Sequence, residues 1–68
     1  MTMSPHQERV VAERAELAEK LGKLEAFLDD WSKVRDLPII DAWHLRLQRE
    51  AMRDYVAILD MRIKRFGQ

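Results

Sequence analysis

The stretch HLRLQREAMRDYVAILDMRI, His44–Ile63, decides how this chain folds. On a helical wheel of about 100° per residue its side chains sort into distinct groups. Arg46, Arg49, Glu50, Arg53 and Asp60, followed by Lys64, gather in one polar sector. Leu45, Met52, Val56, Leu59 and Ile63, extended by Phe66, form one apolar strip. Leu47, Ala51 and Ile58, preceded by Ile40, form a second. Between the strips runs a line of His44, Gln48, Tyr55 and Arg62, four groups that need hydrogen-bond partners. Together the strips cover roughly half the circumference, wider than the ~100° that one partner helix covers.

Working outward, the N-terminal half carries a second helical pattern. Ser4 suits an N-cap, Pro5 the first helical position, and Gln7 can close a capping box. Apolar residues then recur at Val10, Leu17, Leu21, Leu24, Leu28 and Trp31. Gly22 interrupts this run; it marks either a close approach or a local cost of about 1 kcal/mol. Two acids at a helix C-terminus oppose the dipole, so the helix fades near Asp29-Asp30. The expected elements are a first helix over about residues 4–30, a connector over about 31–37 with room for one helical turn, and a second helix over about 38–66. Pro38 lies near the start of the second helix, with Asp41 as the alternative N-cap, and Gly67 stands where a C-cap is expected. The predicted fold is all-α: one domain over residues 1–68, a two-helix antiparallel hairpin.

Such a hairpin needs support. At 68 residues a lone core is marginal, and the chain has no cysteine, which excludes disulfides and thiolate metal sites. His6 and His44 make no metal-ligand motif, and neither a metal nor a cofactor is expected. Each large apolar side chain left in water forfeits roughly 1.5–3 kcal/mol. Further copies of the chain are the simplest cover, so a helical homo-oligomer is expected, with His44, Gln48, Met52, Tyr55 and Leu59 at the interface. Arg62 there requires either an acid from another subunit or an anionic ligand.

Charge narrows the functional classes. Twelve basic residues balance twelve acidic ones, which disfavours a general nucleic-acid coat. Residues 1–30 hold four Lys or Arg against seven acids, and residues 37–68 hold six against four, an asymmetry suited to antiparallel pairing. No apolar run approaches the ~18 residues of a membrane span, and MTMSPHQERV has no signal-like core, so a cytoplasmic location is expected. Ser4 and Ser32 sit in a cap and the connector, and no HExxH, glycine-rich phosphate loop or carboxylate dyad occurs. The expectation is a protein without catalytic activity. Along one border of the first helix lie His6, Arg9, Glu13, Lys20 and Phe27. Rings stack on planar groups and cations pair with phosphates; the plainer alternative is a solvated flank whose long side chains snorkel past the core. Two classes stay in view, a ligand-binding module and a small helical adaptor or inhibitor acting through protein–protein contacts.

The order of residues resembles one family. HQERVVAERAELAEKLGKLEAFL is similar to a Q-x-R-V, E-L, K-L-x-K-L-x-x-F pattern, and LRLQREAMRDYVAILDMRI to L-x-x-Q-x-x-x-M-x-x-Y-x-x-I-L-x-x-R-I. Both belong to the anti-CBASS sponges of bacteriophages, and the resemblance runs from about His6 to Phe66. It implies an all-helical homohexamer without catalytic activity, working in the cytoplasm of the infected bacterial host. Such a protein sequesters the cyclic oligonucleotides made there as an alarm, blocking CBASS immunity. By position, it implies that His6, Arg9, Lys20 and Phe27 hold a cyclic dinucleotide of the cyclic GMP-AMP type between paired protomers. Lys20 would hold a phosphate and the His6 ring would stack on a base. Arg62 and Phe66 would serve a cyclic trinucleotide where three protomers meet. His6 stands where relatives often carry Tyr or Phe, and the connector DDWSKVRDLPIIDAW differs from the more polar stretch usual there.

Overall fold

A computed structural model describes residues 3–67. Three helices, α1 (Pro5–Asp29), the single turn α2 (Trp31–Val34) and α3 (Ile39–Lys64), are followed by a 3-10 turn at Arg65–Gly67. α1 begins as its capping residues dictate. Ser4 Oγ accepts from the Gln7 backbone N–H at 3.2 Å, and Gln7 Oε1 accepts from the Ser4 N–H at 3.0 Å. The helix stops where the chain turns extended at Asp30 (φ −95°, ψ 94°). That residue also caps α2, accepting from the Ser32 N–H at 3.1 Å. One aspartate therefore ends one helix and starts the next.

Three expectations need correction. Trp31 does not continue the apolar stripe of α1: the break at Asp30 destroys the helical phase, and the indole is 69% exposed. Asp41, the alternative N-cap, falls in the first turn of α3 instead of capping it, and Pro38, near the helix start as expected, is the N-cap. Gly67 is no left-handed C-cap. The end of α3 tightens instead, with the Arg65 N–H shared between the Arg62 and Ile63 carbonyls, and no described glycine has positive φ.

α1 and α3 run antiparallel, since residues 13, 14 and 25 meet residues 55, 60 and 53. The seam between them follows the first strip of the sequence pattern. Leu59 is fully buried (0% exposed), with Val10 and, toward the closed end, Val34 and Ala42. Leu17, Leu21, Leu24 and Leu28 of α1 and Leu45, Met52, Val56 and Ile63 of α3 are half-buried around them. Leu59 was expected between copies of the chain; its place is inside one hairpin, because it points straight at α1. The second strip has no cover. Ile40, Leu47 and Ile58 are exposed, as are Ile39 (90%), Trp43 and Met61 beside them. The molecule is a rod of 50 × 15 × 15 Å. Its radius of gyration of 15.4 Å far exceeds the roughly 11 Å of a compact chain this long.

Ion pairs close one flank of the seam. Arg14 Nε and Nη2 donate to the Asp60 carboxylate at 2.7 and 3.3 Å. Arg53 donates to Glu25 at 2.6 and 3.1 Å and to Glu50 at 3.0 Å. The sequence puts Arg53 and Asp60 in a polar sector facing water; that sector borders α1 and binds it. Gly22 has open space around its missing Cβ, so it marks no close approach.

Leu59→Ala is expected to cost about 2–5 kcal/mol, while Gly22→Ala adds up to about 1 kcal/mol; urea melts of the two variants check both signs. The Arg14 hydrogen bond, with the guanidinium charge, holds the Asp60 carboxyl below the usual carboxylate range. Its contribution to stability is present above the unfolded value and disappears as pH falls through the lowered folded value. Between about pH 5 and pH 2, Asp60→Asn should therefore lose less melting temperature than the parent chain.

Candidate functional site

The opposite flank is built differently. Tyr55 sits at its centre, and its hydroxyl donates to Glu13 Oε2 at 2.9 Å across the seam. Both residues repeat by heptads, which return to nearly the same face of a helix. One heptad along α1 from Glu13 brings Lys20 to this flank, and one back brings His6. One heptad along α3 from Tyr55 brings Arg62, and one back brings Gln48. The polar line of α3 and the mixed border of α1, separate patterns in the sequence, thus face each other along one groove.

Toward the chain ends the groove opens into a concavity of about 370 Å³ lined by His6, Arg9, Val10, Glu13 and Arg62. Val10 is buried and forms an apolar floor; the other four are exposed around it. Among the described residues, no carboxylate lies within ion-pair distance of Arg9, Lys20 or Arg62. On the other flank Arg14 and Arg53 are engaged by Asp60, Glu25 and Glu50. The hydrogen bond to Glu13 holds the Tyr55 proton in place and raises its pKa; partial burial and the Glu13 charge add to the rise, and Arg62 opposes it.

The concavity unites His6 and Arg9, which the resemblance assigns to a cyclic dinucleotide, with Arg62, which it assigns to a cyclic trinucleotide. Lys20 lies farther along the groove, exposed, and Phe27 is half-buried toward the closed end of α1. Phe66 is half-buried in the 3-10 turn beyond Arg62. His44 and Gln48 are exposed, and Gln48 Nε2 approaches the half-buried Met52 sulfur at 3.9 Å. Glu13 belonged to the border pattern without a role of its own; its facing position to Tyr55 only became visible once the register was fixed. A second concavity, about 220 Å³, lies at the closed end between Trp31, Leu37, Ile39 and Arg46; the helical phase gave no sign of it, since it is made by the break at Asp30. No three His, Cys, Asp or Glu side chains gather as a metal site among the described residues. Nor is any described helix long and apolar enough to cross a membrane.

The family model named Sequestin matches residues 4–65, nearly the whole chain. The chain belongs to the Sequestin family. The name fits a family of ligand sponges, in agreement with the resemblance carried by the order of residues in both helices. No curated protein and no solved structure matches the chain. Membership in Sequestin spans α1, α2 and α3 alike, so the matched segment contains the groove and its concavity, with His6, Arg9, Glu13, Lys20, Tyr55 and Arg62.

The chain has one tyrosine, so its ionisation can be followed alone. Ultraviolet difference absorbance should show Tyr55 losing its proton above the ordinary value of about 10, and Glu13→Gln should bring the midpoint down toward that value.

Proposed function

We propose that this chain is a non-enzymatic phage protein that sequesters cyclic di- and trinucleotides, in the cytoplasm of an infected bacterium, and so blocks CBASS immunity. The observation that carries this reading is the concavity that Arg9 and Arg62 line together with His6, in a chain of the Sequestin family. Guanidinium groups pair with phosphate through charge-assisted, often bidentate hydrogen bonds. A ring beside them offers a face for a base, the usual means of holding unpaired nucleotides. In this reading a bound nucleotide leaves the concavity chemically unchanged. Lys20, on the same groove, adds a cation for a second phosphate.

The oligomer belongs to the same proposal. The uncovered strip of Ile40, Leu47 and Ile58, with Ile39, Trp43 and Met61, supports burial against further copies, in a homohexamer. Neighbouring copies would deepen an open groove into a closed pocket and bring Arg62 side chains together. Like charges held close repel unless an anion lies among them, and a cyclic trinucleotide carries three phosphates. The same exposed strip also favours a second reading, an adaptor or inhibitor that covers a host protein. A sponge is a stable oligomer before ligand arrives; an adaptor stays a monomer or weak dimer until it meets its protein partner.

Light scattering combined with calorimetry on cyclic di- and trinucleotides separates the two. A stable hexamer that binds and returns the nucleotide intact supports the sponge; a monomer that binds neither ligand rejects it. Lys20→Ala is expected to weaken cyclic-dinucleotide binding at least about thirtyfold without changing the oligomer mass. Arg62→Ala should weaken trinucleotide binding by a similar factor, and unchanged affinity would remove these roles.

A further inference from the structure

Glu13 is out of place in a pocket for phosphates. A carboxylate beside a bound phosphate repels it, and Glu13 lines the same concavity as Arg9 and Arg62. It is not there to neutralise them, because neither guanidinium comes within ion-pair distance of a carboxylate among the described residues. It is also held in place: Oε2 accepts the Tyr55 hydroxyl at 2.9 Å, and among the described residues Oε1 and the remaining lone pairs have no partner. The concavity thus presents both signs of charge side by side, two cations and one acceptor-only group. A ligand that complements it has an anionic end and, beside it, an edge rich in hydrogen-bond donors.

We infer that Glu13 reads a guanine base, accepting from its N1–H and N2–H while Arg9 and Arg62 hold the adjoining phosphate. The inference rests on the proposal that the concavity takes a cyclic dinucleotide, and adds the base it selects. Guanine is the one common base whose pairing edge carries two adjacent donors, which match the two oxygens of a carboxylate. Adenine and cytosine place a ring-nitrogen lone pair beside their amine, and uracil flanks its single N–H with carbonyls. Each of these would set a lone pair against the carboxylate, and an acceptor facing an acceptor is a strong means of rejection. At about 370 Å³ the concavity lies at the small end of ligand sites, roughly 300–1,000 Å³. That suits one base with its phosphate, half of a cyclic dinucleotide, and leaves the other half to an equivalent site on a second copy.

Calorimetry on the full chain with cyclic di-GMP, cyclic di-AMP and cyclic di-IMP, whose hypoxanthine lacks the N2 amine, tests this. The parent chain should bind cyclic di-GMP at least about tenfold more tightly than cyclic di-AMP, with cyclic di-IMP between them. Glu13→Gln should collapse the difference to within about threefold, with oligomer mass unchanged by light scattering. Equal binding of all three by the parent chain, or a preference that survives Glu13→Gln, overturns the role of Glu13 and leaves nucleotide sequestration standing. Binding of none of the three by the parent chain overturns the role of Glu13 together with the cyclic-dinucleotide part of the proposed function. The cyclic di-IMP comparison needs no substitution, so the inference can be refuted even if the variant fails to fold.

Discussion

The width of the apolar face on α3 is the constraint from which the rest follows. A helix that is apolar over half its circumference cannot be satisfied by one antiparallel neighbour. α1 covers the strip centred on Leu59 and leaves Ile40, Leu47 and Ile58 in water. The hairpin therefore has a narrow seam instead of a core, and its shape is that of a rod. Hydrophobic burial of this kind is non-directional. It determines that the two helices meet, and says little about how far one slides along the other.

Register comes from the polar groups at the sides of the seam. Arg14 with Asp60 and Arg53 with Glu25 tie two points of one flank, and Tyr55 with Glu13 ties the other. Exposed pairs of this kind contribute little to stability, but a shift by one helical turn would break all three at once. Their uneven distribution has a chemical result. On one flank Arg14 and Arg53 meet acids across the seam, while among the described residues Arg9, Lys20 and Arg62 of the opposite flank have no carboxylate within ion-pair distance. The hairpin separates the charges that hold it together from those that face outward.

Much of this was legible in the residues. The period of the α3 pattern revealed both strips, and Ser4, Pro5 and Gln7 announced the start of α1 with its capping box. The polar line of α3 and the border of α1 were each visible as well. Their meeting was not, because wheel positions on separate helices carry no information about register until a cross-helix contact such as Glu13 with Tyr55 is known. His6 and Arg62, which the resemblance assigns to different ligands, line one concavity of the hairpin. Trp31 misled for a local reason: periodicity extrapolates through a break that a single extended residue, Asp30, is enough to create.

The antiparallel course of the chain places both ends of the described segment, Ser4 beside His6 and Gly67 beyond Arg62, at the same end of a 50 Å rod as the larger concavity. A bulky group attached to Ser4 or Gly67 would crowd the mouth of that concavity. The turn around Arg35 and Asp36, both exposed, lies at the far tip. A fluorophore or surface anchor attached there reports on the molecule with its open end unobstructed.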